Sequence, residues 1–210
     1  MLERKAFPVR TILLDMGNVL VFFSHERMCA QLGELCGKSA AEMRTILLGT
    51  ELQLDFERGR HSEQEFCELL SERVGVSLDL PTVRTAASDI FWHHDDMLPI
   101  LAGLKQHGYR LVLLSNTSIS HFRWIQERYQ FLNYFDDYVV SYEAGAIKPE
   151  PQIYEVALRK IQCAPEECFY TDDIPDYVAA ARRFGLQAEV FQNAVTFQDH
   201  LRQRGIRFEL

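Results

Sequence analysis

The feature that most restricts how this chain folds is a rhythm in its second half. Short apolar runs alternate with amphipathic stretches, and the apolar runs lead into polar or charged residues. Met97 to His107 reads as a helix closed by Gly108, Arg110 to Leu114 as a strand, Ile119 to Tyr129 as a helix and Tyr138 to Val140 as a strand. Glu150 to Ile161 (helix), Cys168 to Thr171 (strand), Pro175 to Phe184 (helix, closed by Gly185), Ala188 to Phe191 (strand) and Val195 to Arg204 (helix) continue the pattern. Strands separated by helical crossovers pair in parallel. Near the start, Thr11-Ile-Leu-Leu-Asp15 is a continuous apolar run, as expected of a strand buried on both faces. The expected fold class is therefore α/β, a doubly wound parallel sheet.

Between these two parts the pattern changes. Val19 to Phe23 reads as a flap or hairpin. From Ser24 to about Asp95 the chain reads as all-helical, with helices over His25–Cys36, Ala40–Leu48, Ser62–Val74 and Pro81–Trp92 and no strand. Ser39 with Glu42 and Ser62 with Glu65 have the spacing of capping boxes. The expected organisation is a core of residues 1–23 and 96–210 with a helical cap domain, 24–95, inserted after the first strand.

Composition narrows the function classes. The 210 residues carry a net charge of -8 and no Lys/Arg cluster, which argues against a nucleic-acid or anionic-membrane partner. No apolar run approaches the roughly 18 residues of a membrane helix, and Met1 to Arg10 does not read as a secretory signal. Cys29, Cys36, Cys67, Cys163 and Cys168 lack the spacing of a zinc or redox motif and read as free thiols. The expectation is a soluble, cytoplasmic protein. Its oligomeric state is not legible.

In doubly wound sheets, ligands bind at the carboxyl ends of the strands. Asp15, Gly17 and Asn18 follow the first strand, Ser115, Asn116 and Thr117 the second, Lys148-Pro149 the loop after the third, and Asp172-Asp173 the fourth. A carboxylate, a hydroxyl, an amine and a carboxylate pair on one sheet edge suit hydrolysis of a phosphate monoester. Asp15 is placed to attack phosphorus. Asp15 and Asp173 offer the oxygen ligands that a magnesium ion (Mg2+) prefers. Ser115, Lys148 and the backbone amides that follow Asp15, at Gly17 and Asn18, are placed to hold phosphoryl oxygens, with Asn116 counted in the same set.

These segments resemble the four motifs of the haloacid dehalogenase superfamily, in order: Leu14-Asp15-Met16-Gly17-Asn18-Val19, Leu113-Leu114-Ser115-Asn116, Lys148-Pro149-Glu150-Pro151 and Phe169-Tyr170-Thr171-Asp172-Asp173. The helical insertion lies where that superfamily carries its small helical cap. Asp55-Phe-Glu-Arg-Gly59, followed by Ser62 and Phe66, is similar to the cap of glucose-1-phosphate phosphatase-like proteins. The resemblance implies Asp15 as nucleophile and metal ligand, Ser115 and Lys148 on the phosphoryl group, Asp173 as a metal ligand with Asp172 beside it, and the Gly17 carbonyl on the metal. The implied substrate is a small phosphorylated metabolite.

Two positions depart from that pattern. Gly17 stands where most of these phosphatases carry an acid–base Asp, which points to esters with a better leaving group, such as anomeric or acyl phosphates. Tyr177 stands where an Asp or Asn usually follows the fourth motif, with Asp176 one position early. Two other functions stay open here: a haloacid dehalogenase, against which the Asp172-Asp173 pair speaks, and a non-catalytic phospho-ligand-binding protein, which Gly17 would favour. His25 and His121 follow the first two motifs closely enough to approach a phosphate. His93-His94, Arg58 and the aromatic residues Phe22, Phe23, Phe56, Phe91 and Trp92 read as surface or packing.

Overall fold

The computed structural model describes residues 8–209; residues 1–7, which include most of the segment read above as carrying no signal, lie outside it, as does Leu210. Thr11–Leu14 forms β1, buried along its whole length. The chain turns through Met16–Leu20 into β2 (Val21–Phe23) and then through α1 (His25–Cys36), α2 (Ala40–Leu48), α3 (Leu52–Glu57), α4 (Glu63–Val74) and α5 (Leu80–Ser88) to β3 (Phe91–His93). The alternating part follows as α6 (Met97–Gln106), β4 (Arg110–Ser115), α7 (Ile119–Arg128), β5 (Asp137–Val140), α8 (Ser141–Ala144) and α9 (Pro151–Lys160). It ends with β6 (Cys168–Asp172), α10 (Pro175–Arg183), β7 (Gln187–Val190) and α11 (Ala194–Gln203).

Five strands form a parallel sheet in the order β5-β4-β1-β6-β7. The expected doubly wound sheet is thus present, and the period-two pleat explains its apolar runs. Ile12, Leu14, Leu111, Leu113 and Phe169 face one side, with Ile100, Leu104, Phe122, Ile125, Phe197 and Leu201 of α6, α7 and α11. Leu13, Val112, Leu114, Cys168 and Tyr170 face the other, with Ile153, Tyr154, Val178 and Ala181 of α9 and α10. Helices on both faces leave the central strands no wet side, so their residues do not alternate in polarity. Among the described residues, no helix is long and apolar enough to cross a membrane, and all five cysteines are free.

Helices α1 to α5 build a separate core that includes Met28, Leu32, Met43, Leu47, Phe56, Phe66 and Leu70. Phe56 stacks on Phe66 with centroids 4.3 Å apart. Both capping boxes form, at Ser39 with Glu42 and Ser62 with Glu65. Two expectations for this region need correction. The helix expected over Pro81–Trp92 stops at Ser88, and Phe91–His93 is a strand paired antiparallel with β2. Three residues whose partner lies so far away in sequence have no local period to reveal them. The six-residue α3 was also missed, because it is too short for a helical repeat to show.

Two of the junctions that tie the helical layer to the sheet are built from polar side chains. Glu63 of α4 accepts from Ser120 Oγ and Arg123 Nη1 of α7, both at 2.8 Å. At the end of α3, Ser141 Oγ donates to the Glu57 carbonyl at 2.6 Å, and Arg58 Nη2 donates to Glu150 at 2.8 Å. Gly59 makes the second junction possible. Its φ is +70°, and a Cβ there would lie 2.1 Å from the Tyr142 carbonyl oxygen. Gly59→Ala is therefore expected to lower stability by about 1–3 kcal/mol, read as a lower urea midpoint at unchanged m. An unchanged midpoint would mean that this close approach does not hold α3 on the sheet.

Candidate active site

β1 lies between β4 and β6, with Leu14 opposite both Leu113 and Thr171. The chain runs outward from β1 through β4 to β5 on one side and then crosses to β6 and β7 on the other, so a crevice opens at the carboxyl end of β1. Asp15 follows β1, Ser115 ends β4 and Asp172 ends β6, which brings three chain segments together within that crevice. Lys148 enters from the loop after α8.

Lys148 is 1% exposed. Its Nζ donates to Asp15 Oδ1 at 2.7 Å, Asp172 Oδ2 at 2.6 Å and the Leu114 carbonyl at 3.1 Å. An ammonium has three protons, so each has a partner. Burial alone would pull the ammonium down, but Asp15 and Asp172 hold it above its ordinary range, so it stays charged. Burial pushes the Asp15 carboxyl up to about 7 against the pull of Lys148, and Asp172 adds to the rise. Asp172 is fully buried. It also accepts from the Tyr170 hydroxyl, and its Oδ1 accepts from the Ile174 N–H at 2.8 Å.

Burial also raises the half-buried Asp173, against a hydrogen bond from Asn18. One oxygen each from Asp15, Asp172 and Asp173 lies within 4.8 Å of the others. Three carboxylates face one ammonium, and the surplus negative charge is shielded from water. A hard divalent cation fits such a donor set. Asp15 and Asp173 are the freer of the three, because Asp172 is already engaged by Lys148, Tyr170 and Ile174.

The two asparagines have more specific roles than the sequence suggested. Asn18 adopts φ +54°, a left-handed conformation that Asn tolerates, and its Nδ2 donates to Asp173 Oδ2 at 2.9 Å. Its own N–H is taken by the Val21 carbonyl at 2.7 Å, so Asn18 orients Asp173 and its amide is not available to a phosphoryl group. Of the amides that follow Asp15, Gly17 keeps its N–H free of a backbone partner among the described residues. Asn116 binds the backbone of Lys148 twice: Oδ1 accepts from its N–H at 2.7 Å, and Nδ2 donates to its carbonyl at 3.1 Å. Asn116 therefore positions Lys148. Ser115 is buried at the cavity wall, and among the described residues its hydroxyl makes only a 3.4 Å contact, to the Asn116 carbonyl.

Above these residues lies a cavity of about 210 Å³. Phe23, Leu54, Glu57, Ile90 and Phe91 line it from the helical layer and its ribbon, joined by His25, His121 and Tyr177. Phe23 and Phe91, which the sequence suggests as packing residues, also wall the cavity. Phe23 explains Gly17 as well. A Cβ at position 17 would come 2.8 Å from Phe23 Cε1, so the ring fills the room that an acid–base side chain would need. Tyr177 does not replace a metal ligand. Its ring stands 5.1 Å from Lys148 Nζ, its hydroxyl meets Asn116 Nδ2 at 3.4 Å, and Asp176 is exposed outside the cluster.

Of the histidines, His121 is buried and its Nε2–H donates to the Ala87 carbonyl at 3.1 Å. Burial lowers its pKa to about 4. His94 Nδ1–H donates to the Val19 carbonyl at 2.9 Å and His93 lies against Tyr129, both outside the cavity. Arg58 is neither solvated surface nor in the cleft, since it binds Glu150, Glu51 and Asp55. Glu57 also lines the cavity; in the sequence its sole signal is the likeness of the segment Asp55–Gly59 to a cap.

A family model for haloacid dehalogenase-like hydrolases matches residues 9–185. The D-ribitol-5-phosphate phosphatase of Bacteroides thetaiotaomicron is 24% identical over 201 residues, spanning 92% of this chain and 97% of that protein. The glyceraldehyde 3-phosphate phosphatase of Methanopyrus kandleri is 25% identical over 195 residues, spanning 85% and 82%. A haloacid dehalogenase-family enzyme of Bacteroides thetaiotaomicron, solved with magnesium and inorganic phosphate, superposes with a TM-score of 0.74 at 23% identity, covering 88% of this chain and 95% of that one. This structural likeness shows the shared fold.

Lys148→Met removes the ammonium and leaves buried carboxylates facing each other. It is expected to cost roughly 3–5 kcal/mol at pH 8, measured by urea unfolding, and a loss under 1 kcal/mol would contradict the pairing. His121 is held neutral, with a folded pKa of about 4 against 6.5 for the free side chain. Between those values the unfolded chain binds the proton and the folded one does not, so stability falls as pH drops from 6.5 to 4. The His121 share of that fall is roughly 3 kcal/mol. His121→Gln is expected to flatten the unfolding free energy over that window, and a parallel profile would refute the buried neutral imidazole.

Proposed function

The chain belongs to the haloacid dehalogenase-like hydrolases, and on that footing we propose that it is a magnesium-dependent phosphatase that hydrolyses a small phosphorylated metabolite through an aspartyl-phosphate on Asp15. The observation that carries this reading is Lys148, held between Asp15 and Asp172 with Asp173 alongside, at the floor of a cavity beneath the helical layer. Related phosphatases acting on ribitol and glyceraldehyde phosphates, and a fold relative solved with magnesium and phosphate, support it.

Asp15, Asp173 and the Gly17 carbonyl would hold the magnesium ion, with Asp172 at its edge. When bound, magnesium offsets the charge of the carboxylates and of the phosphoryl group. Lys148 fixes Asp15 Oδ1 and keeps a positive charge beside the reacting atoms. Attack by the Asp15 carboxylate forms an O–P bond and breaks the ester P–O bond, whose electron pair leaves with the alcohol oxygen. Water then attacks the phosphorus of the aspartyl-phosphate, releasing phosphate and restoring Asp15. The Ser115 hydroxyl and the Gly17 N–H would hold the phosphoryl oxygens.

Gly17 and the ring of Phe23 leave no carboxyl two residues after the nucleophile to protonate the leaving oxygen. Such a site favours esters whose oxygen leaves readily, such as anomeric sugar phosphates, in keeping with the cap's likeness to glucose-1-phosphate phosphatase-like proteins. The carboxylate cluster favours this reading over a dehalogenase, which needs no metal. We read α1 to α5 as a cap domain that excludes water from the cavity and contributes to specificity.

Phosphate release from a panel of sugar and polyol phosphates is expected with magnesium and not with EDTA. Asp15→Asn should lower it by roughly 10³-fold or more. Magnesium should also raise the melting temperature of the wild type and not of Asp173→Asn. Equal turnover in EDTA, or by Asp15→Asn, would overturn the mechanism.

A further inference from the structure

The floor and the roof of the cavity differ in chemistry. The floor carries Asp15, Asp173, Ser115 and the ammonium of Lys148. The roof is largely apolar, and Glu57 is its one carboxyl among the described lining residues. Glu57 Oε1 accepts from Gln53 Nε2 at 2.9 Å, one turn earlier in α3. Its Oε2 meets no donor among the described residues. The adjacent Arg58 would be the natural counter-ion, yet its guanidinium is bound to Glu150, Glu51 and Asp55.

A half-buried carboxyl on an apolar wall, with acceptor positions that no protein donor fills, carries a desolvation cost. Burial raises its pKa above the ordinary range, which reports the same cost. The residue is nevertheless fixed in place. Its carbonyl accepts from Ser141 Oγ at 2.6 Å, and Gly59 packs against Tyr142 just beyond it. It also lines the same cavity as the nucleophile, together with Lys148 and Tyr177.

Resting on the phosphatase reading, we propose that Glu57 selects the organic part of the ester by accepting hydrogen bonds from its hydroxyl groups. The substrates are then phosphate monoesters of the sugar or polyol class whose organic part bears hydroxyls and no charge, and esters with a second anionic group are rejected. The charges in the cavity support both halves. A hydroxyl supplies the donor that Oε2 lacks. A second phosphate or a carboxylate would meet Glu57 instead of a cation, since Lys148, the only Lys or Arg among the described residues that line the cavity, is engaged by three acceptors at the floor.

The test compares wild type, Glu57→Gln and Glu57→Leu on D-ribitol 5-phosphate, p-nitrophenyl phosphate and a sugar bisphosphate, all with magnesium, with thermal melts to show that the variants fold. A hydrogen bond to a charged group corresponds to a loss of roughly 10–100-fold. Both variants are expected to lose that much kcat/KM on the polyol ester, to change less than about threefold on the aryl ester, and to gain on the bisphosphate. Equal losses on the polyol and aryl esters, or an undiminished polyol rate, would overturn the assignment of Glu57 while leaving the phosphatase standing. A wild type inactive on all three esters would overturn the phosphatase reading and this proposal with it.

Discussion

A buried ammonium held by two buried carboxylates is the constraint on which the rest of this structure depends. Taking Lys148 out of water is costly, and only close, well-aligned partners offset it. Those partners come from three separate strands: Asp15 after β1, the Leu114 carbonyl in β4 and Asp172 at the end of β6. The strands must therefore end in register, and the loop after α8 must reach them. Asn116 clamps that loop by both sides of its amide, and the Tyr170 hydroxyl fills a further position on Asp172.

The same cluster sets the electrostatics of the site. Three carboxylates against one ammonium leave the crevice short of positive charge, and burial makes the shortage felt as the raised Asp15 carboxyl. A cation and a phosphoryl group would meet complementary needs there: the first would neutralise carboxylates, and the second would be held by the Ser115 hydroxyl and the Gly17 amide beside the ammonium's charge. The helical layer forms the facing wall of the cavity. Its ribbon places Phe23 where a side chain on residue 17 would go, and α3 places Glu57 over the floor. The wall that removes one acid–base group from the site thus also supplies a carboxyl of its own, farther from the reacting atoms.

Much of this was legible in the chain. Period and punctuation marked the strands and most helices, because a strand buried on both faces is apolar throughout and Gly108 and Gly185 stop the helices before them. The residues that cluster at the sheet edge were also legible, because ligands in such sheets sit beyond the strand ends. What local pattern lacked were features defined by distant partners. β3 exists only through its pairing with β2, and α3 is too short to show a repeat. Asn18 and Asn116 looked like phosphate contacts from their neighbours, but their hydrogen bonds go to Asp173 and Lys148. Arg58 looked like surface, although Glu150 lies opposite it across the junction.

The sequence by itself determined the layered sheet and which functional groups stand at its edge, since burial on two faces and residues placed after strands are properties of contiguous chain. The tertiary structure decided what each group does there. Whether an ammonium faces a ligand or is engaged by carboxylates, and whether a glycine is spare room or filled by a ring, depends on atoms brought together from far apart in the chain. So does a glutamate at the end of a short helix, which is surface or cavity wall according to how the helical layer docks. The energies that settle these questions are those of burial and of hydrogen bonds between distant segments, and no local window of sequence contains both partners.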